Sequence, residues 1–344
     1  MKLVQSPKVR VGVVGCGVVS SYGHIPAIYH APEAQLVAFA DPNEQRLRAE
    51  MERYDLPGYA SIEEMVANEE LDAVAVPTQP DIKLDIIKVA AANGLHAFCE
   101  KPLTDTVEQA RELMQLMDKA DLFVGMAFVY RGKNSVQRMV ELVDSGAIGE
   151  LRAVHIENMW DYHGLRDAAD RGNRRHRALQ NLGTLDCGVH DLDLARYLSR
   201  GEYGDIAAIG AIVEHANEYP DHIIMHSRMS NGVLVSVEES AVWGYTAKDR
   251  PVYEQSYRLL GENGFLAASF GDWGDGHQSG ELRVVSGADS WTETVSSDKA
   301  WDSTYRQFFQ ILLGREPRQR FLADGHDALV NMQIAREVIA QCQK

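Results

Sequence analysis

The sequence predicts an α/β protein in two parts: an N-terminal doubly wound parallel sheet, then a C-terminal α+β domain with a large, open, mainly antiparallel sheet. Three observations predict it. The run Val11-Gly-Val-Val-Gly15-Cys-Gly17-Val18-Val19-Ser20 reads as a strand emptying into a glycine turn that opens a helix. Short strands, apolar on both faces, then alternate with helices to about residue 126, the pattern of a parallel sheet covered on both sides. Beyond about residue 150 apolar and polar residues alternate, which marks an antiparallel sheet with one covered face.

In the first part strands are expected at 9–14, 35–40, 72–76, 95–99 and 122–126. Helix starts are signalled by Asp41-Pro-Asn-Glu44 and by Ser61-Ile-Glu-Glu64, where Ser61 and Glu64 form a capping box. In the second part the alternating runs are Leu151–Trp160, Ile206–His215, His222–Met229, Val233–Val242 and Ser256–Leu260. Ser230-Asn-Gly232 and Glu262-Asn-Gly264 lie between consecutive runs, where hairpins need positive φ. Helices are expected at 104–120, 132–146, 187–199, 302–314 and 324–342. Two domains follow, a dinucleotide-binding domain over 1–127 and a substrate-binding and oligomerisation domain over 128–344.

Composition narrows the function classes. The 344 residues are 45% hydrophobic, and no stretch comes near the roughly 20 apolar residues of a membrane helix. Met1-Lys-Leu-Val-Gln-Ser-Pro7 runs into the first strand without the apolar core of a secretory leader, so cytoplasmic residence is the expectation. A net charge of −16 repels phosphate backbones and anionic lipid, which argues against nucleic-acid and membrane partners. Cys16, Cys99, Cys187 and Cys342 are widely spaced, form no Cys-x-x-Cys pair, and read as small buried hydrophobes.

The chemistry-bearing residues fall into three groups. In the glycine turn, Gly15 permits the bend and Gly17 lets the backbone approach a pyrophosphate, while helix N–H groups meet the anion. Asp41 ends the next strand where a carboxylate receives ribose hydroxyls, and it would repel a 2′-phosphate; NAD is therefore expected rather than NADP. Against this stands an ordinary strand-turn-helix corner. The second group, Glu100-Lys101-Pro102, closes a strand at the carboxyl edge of the sheet. Lys101 there either stabilises developing negative charge on a substrate oxygen or belongs to a solvated ion pair. In the third, Asp186, His190 and Asp193 share one helix face by the i, i+4, i+7 rule, with His190 the candidate general base and a carboxylate to orient it. The plain alternatives are an N-cap for Asp186, an exposed helix acid for Asp193 and a structural role for His190.

Three further features are weaker. His222 and His226 are four apart but lie in a β-branched run without a glutamate between them, so no metal site is expected. Trp160 stands at a strand end, where it stacks on a sugar or packs in the core. Arg166, Arg171, Arg174, Arg175 and Arg177 crowd into one loop, where they grip a substrate oxygen or pair with surplus acids.

Together the glycine turn with His24, the Glu100-Lys101-Pro102 motif, the run from Asp186 to Asp193 and the closing Asp324-Gly325-His-Asp-Ala helix start resemble the glucose-fructose oxidoreductase, inositol dehydrogenase and rhizopine catabolism family of NAD(P)-dependent oxidoreductases. The resemblance implies hydride transfer between nicotinamide and a sugar, sugar derivative or cyclitol. It makes Lys101 the catalytic lysine, His190 the proton acceptor and Asp186 its partner. It assigns the cofactor to Gly15, Gly17, Val18, Val19, Asp41, Thr78, Glu100 and Lys101, and the substrate to Lys101, Arg131, Trp160, Arg177, Asp186 and His190. A homodimer or homotetramer is also implied. Three positions depart from the family pattern: Ser20 replaces the third glycine, Lys83 stands where a histidine is expected, and Tyr130-Arg131-Gly-Lys133-Asn134 keeps the arginine but loses a proline. Two alternatives are a nucleotide-sensing regulator of the same fold, against which Lys101, Asp186 and His190 argue, and a dihydrodiol-type dehydrogenase.

Overall fold

The computed structural model describes residues 1–160, 185–213, 219–241, 253–271, 279–315 and 321–343. These form two compact units, Met1–Gly132 with Ala300–Met332, and Lys133–Lys299 with Gln333–Lys344.

The first unit is a six-stranded parallel sheet. Its strands are β1 (Val9–Val14), β2 (Ala34–Ala40), β3 (Gly58–Tyr59), β4 (Ala73–Val76), β5 (His96–Cys99) and β6 (Val124–Met126), in the spatial order β3-β2-β1-β4-β5-β6. Strands β4 and β5 are buried at every residue, as a sheet covered on both faces requires. The order reverses at β1, which pairs with β2 on one side and β4 on the other, and open α/β sheets bind ligands outside the carboxyl ends at such a point. Crossovers are made by α1 (Ile25–His30), α2 (Glu44–Tyr54), α3 (Ile62–Asn68), α4 (Pro80–Ala92) and α5 (Val107–Lys119).

The local start signals are partly shifted. Within the Asp41–Glu44 signal it is Asn43 that caps α2, accepting from the Arg46 N–H. Ser61 caps α3 as expected, but Glu64 reaches back to the N–H of Ala60 instead of Ser61.

Late in the chain, α8 (Trp301–Leu312) returns to this unit and buries Tyr305, Phe308 and Phe309 in its core, with Tyr305 stacked on Phe98 at 4.1 Å between centroids. The stretch expected as one continuous second domain over 128–344 is therefore interrupted by Ala300–Met332. The helix α9 (Gly325–Cys342) opens on Asp324, whose carboxylate accepts from the N–H groups of His326 and Asp327.

The second unit carries α6 (Asn134–Asp144), α7 (Leu185–Ser199) and an eight-stranded sheet. Its strands are β7 (Leu151–Trp160), β8 (Tyr203–Ala211), β9 (His222–Met229), β10 (Leu234–Ser240), β11 (Tyr253–Gly261), β12 (Gly264–Gly271), β13 (Ser279–Ser286) and β14 (Asp289–Ser296), ordered β14-β13-β12-β11-β7-β10-β9-β8. All neighbours are antiparallel except β7 and β10, which run parallel at the centre. Gly232 has φ +87° in the β9–β10 turn, as expected. Gly264 does not show positive φ; it is glycine because the carbonyl of Val285 on β13 crowds the place of a side chain.

Among the described residues no helix is long and apolar enough to cross a membrane. Cys16 and Cys99 are buried, with desolvation first among the causes that push both thiols up to about 12. Cys187 and Cys342 are only partly buried, against the expectation for all four.

Candidate active site

At the end of β1 the chain turns through Gly15, with φ +108°, a conformation that a side chain resists. A Cβ there would also stand 2.8 Å from the Thr78 methyl group, so the turn and the end of β4 are in contact. At Gly17 a Cβ would meet nothing within 4 Å, which leaves the backbone open to a ligand. Asp41, 7% exposed, accepts from the N–H of Cys16 at 2.7 Å and from that of Asn43 at 2.8 Å, so the acid of β2 is fixed beside the glycine turn. Each carboxylate oxygen keeps a lone pair for a hydroxyl. An open depression of about 630 Å³ lies against the turn, lined by Cys16, Gly17, Val18, Arg46, Glu50 and Arg53. The buried Thr78 hydroxyl has no partner among the described residues. Open backbone, a fixed acid and an unused hydroxyl at one edge fit a dinucleotide. Val19 enters a helical stretch with a π turn over Ser20–His24, so Ser20 replaces the fingerprint glycine where the helix widens.

Glu100, Lys101 and Pro102 follow β5 at the same edge, since β5 pairs with β4 and β4 with β1. Lys83, fully buried on α4, donates to the carbonyl of Pro102 at 2.5 Å and to that of Glu100, so its ammonium clasps the main chain on both sides of Lys101. The substitution at 83 thus places a main-chain clamp at that edge. His24, also fully buried, links Tyr305 Oη at Nδ1 (2.6 Å) to Glu100 Oε1 at Nε2 (3.3 Å), and Trp301 lies 4.5 Å away between ring centroids. Burial pushes the Glu100 carboxyl up, but the His24 hydrogen bond and the charges of His24, Lys101 and Lys83 outweigh it, and its pKa ends below the usual carboxylate value. A charged carboxylate therefore persists next to Lys101. Sequence reasoning missed Tyr305 and Trp301, which are contributed by a helix some 200 residues away in the chain, and did not see the task of Lys83.

In the second unit Leu185 and Asp186 are both helical in α7, so Asp186 lies within the helix and not at a cap. Asp186, His190 and Asp193 are 5%, 6% and 1% exposed, which removes the reading of Asp193 as an exposed helix acid. One buried face of one helix then carries acid, imidazole and acid, a set that can hold and move a proton. Arg131 is buried in an ion pair with Asp327 at 3.1 Å. Trp160 ends β7, but its side chain, like Arg177 and the rest of the arginine-rich loop, lies outside the described residues. Of the spaced histidines, His222 is hydrogen-bonded to Glu238 at 3.2 Å.

Comparison with known proteins decides the family. A profile described as "Oxidoreductase family, NAD-binding Rossmann fold" matches residues 9–128, and the GFO/IDH/MocA C-terminal domain matches residues 136–267. The chain belongs to the GFO/IDH/MocA oxidoreductase family. It is thus an oxidoreductase with an NAD-binding Rossmann domain. Among relatives of this family, the myo-inositol 2-dehydrogenase of Thermotoga maritima is 26% identical over 262 residues, covering 74% of this chain and 75% of the relative. The inositol 2-dehydrogenase of Corynebacterium glutamicum is 26% identical over 329 residues, covering 86% and 90%. The WlbA dehydrogenase of Bordetella pertussis, solved with NADH and UDP-GlcNAcA, shares the fold at a TM-score of 0.81 and 21% identity, over 99% of this chain and 97% of that one.

Proposed function

We propose that the protein transfers a hydride between NAD and a secondary hydroxyl of a sugar, sugar derivative or cyclitol. The observation that carries this reading is the clasp around Lys101: a lysine beside an ionised Glu100, with Lys83 gripping the carbonyls on either side, at the sheet edge that also holds Gly15 and Thr78. The two inositol dehydrogenases among its relatives support the substrate class.

In this reading Gly15, Gly17, Val18 and Val19 cradle the pyrophosphate, Asp41 receives the ribose hydroxyls, and Thr78 and Glu100 border the nicotinamide side. NAD bound there would supply the hydride acceptor or donor. His190 takes the hydroxyl proton in the oxidative direction and Asp186 holds the imidazole ready for it. Lys101 stabilises negative charge on the reacting oxygen by hydrogen bonding. Arg131, Trp160 and Arg177 complete the proposed substrate contacts. The same reading includes a homodimer or homotetramer formed through the open sheet of the second unit, where Leu234 and Leu260 are exposed and both stand opposite Ala153.

A panel of inositols, aldoses and nucleotide sugars, assayed with purified protein by nicotinamide absorbance, tests the proposal. Turnover of a polyol or sugar with NAD is expected. Binding of NAD without turnover of any member would contradict it.

A further inference from the structure

A buried polar cluster that this chemistry does not use ties α7 to the sheet of its unit. Asp191 on α7 accepts from the side-chain amides of Asn158 on β7 at 2.9 Å and Gln255 on β11 at 3.5 Å. The Gln255 carbonyl accepts from the Lys133 ammonium, just before α6, at 2.7 Å. Glu239 on β10 is fully buried, and its carboxyl lies against Gly188 of α7, where a Cβ would stand 2.9 Å from Glu239 Cγ and 3.0 Å from its Cδ. The glycine two residues before His190 makes room for this acid.

The proton count follows from the contacts. Glu239 stands opposite Asn158 across the β10–β7 pair, and the Asn158 amide donates to Asp191, so the two acids share one neighbour in a single buried cluster. With both ionised, neither Glu239 oxygen finds a donor among the described residues. The groups facing the pair are Cys187 on α7, Asn158, Gln255 and Lys133, with Asp298 and Lys299 beyond Lys133. One buried ammonium against two buried carboxyls balances only if one carboxyl stays protonated. Desolvation pushes both carboxyls up, Glu239 further than Asp191, and pushes Lys133 down to about 7.

We propose that Glu239 keeps its proton at neutral pH and donates it to Asp191, and that this acid–carboxylate pair is a positioning device that fixes α7, with Asp186 and His190 on it, to the sheet. Only the catalytic use of α7 rests on the function proposed above. A carboxyl protonated in the folded state and ionised in the unfolded one contributes stability that fades as pH rises above the ordinary glutamate value.

The experiment compares wild type, Glu239→Gln and Glu239→Ala, without substrate, by infrared spectroscopy, thermal unfolding from about pH 5 to about pH 9, and amide hydrogen exchange across α7. Wild type should show the carbonyl band of a protonated carboxylic acid at neutral pH, and Glu239→Gln should lack it. Glu239→Gln should melt at or above wild type at the alkaline end, lose part of the fall in Tm with pH, and keep the exchange rates of α7. Glu239→Ala should speed that exchange by about tenfold or more, or fail to fold. No acid band at neutral pH, an unchanged fall in Tm for Glu239→Gln, or a Gln variant as loosened as the Ala variant overturns the proposal. None of these readouts needs turnover, so they stand apart from failure of the functional reading.

Discussion

The Lys83 ammonium donates a 2.5 Å hydrogen bond to the carbonyl of Pro102, one residue beyond Lys101, from a position with no solvent exposure. A charge in such a place is kept only by its contacts, and here they are main-chain carbonyls next to the proposed catalytic lysine. Lys83→Met should leave those carbonyls without the ammonium, cost about 1–3 kcal/mol in thermal or denaturant unfolding, and lower kcat on the order of 10- to 100-fold through displacement of Lys101. Lower stability with unchanged kcat would make Lys83 a structural residue only.

Asp41 should set the cofactor. Its carboxylate is already oriented by the N–H groups of Cys16 and Asn43, so Asp41→Ser removes a fixed acceptor beside the glycine turn. NAD affinity should fall by about 10- to 100-fold, and NADP affinity should rise as repulsion is relieved. Titrating both nucleotides against both proteins checks this, and a wild type that binds NADP more tightly would show that Asp41 does not serve the ribose.

His96 gives an acid-sensitive element in the first unit. Burial comes first among the causes that lower its imidazole from 6.5 to about 4, and its Nδ1 accepts from the N–H of Phe123 at 2.9 Å. The folded state therefore prefers neutral histidine, while the unfolded chain binds the proton from about pH 6.5 downward. Stability is fully present above the unfolded pKa and is lost as pH falls toward about 4, by as much as ~3 kcal/mol. Denaturant unfolding at several pH values should show this loss in wild type and a smaller one in His96→Asn.

What the sequence made legible follows physical lines. β1, β7 and β9 have the bounds expected because their patterns are uninterrupted. β12 was missed because Gly264-Phe-Leu-Ala-Ala-Ser-Phe-Gly271 mixes small residues with apolar ones, and β14 because most of it faces solvent at the sheet edge. The parallel pairing of β7 with β10 is a tertiary choice that no local pattern encodes. Lys83 did carry a signal: it falls in the buried stripe of Pro80, Leu84, Ile87 and Ala90, where a lysine must find acceptors. Glu239, alternating with buried Val235 and Val237, carried the same one.

The central claim is that hydride transfer by this protein uses His190 as the proton acceptor and Lys101 as the group that stabilises the reacting oxygen. The most direct test is kcat and NAD affinity for His190→Ala and Lys101→Ala, with a substrate from the panel. The account predicts that each variant loses roughly 10²- to 10⁴-fold in kcat while binding NAD as wild type does. Near-normal turnover in either variant would contradict it.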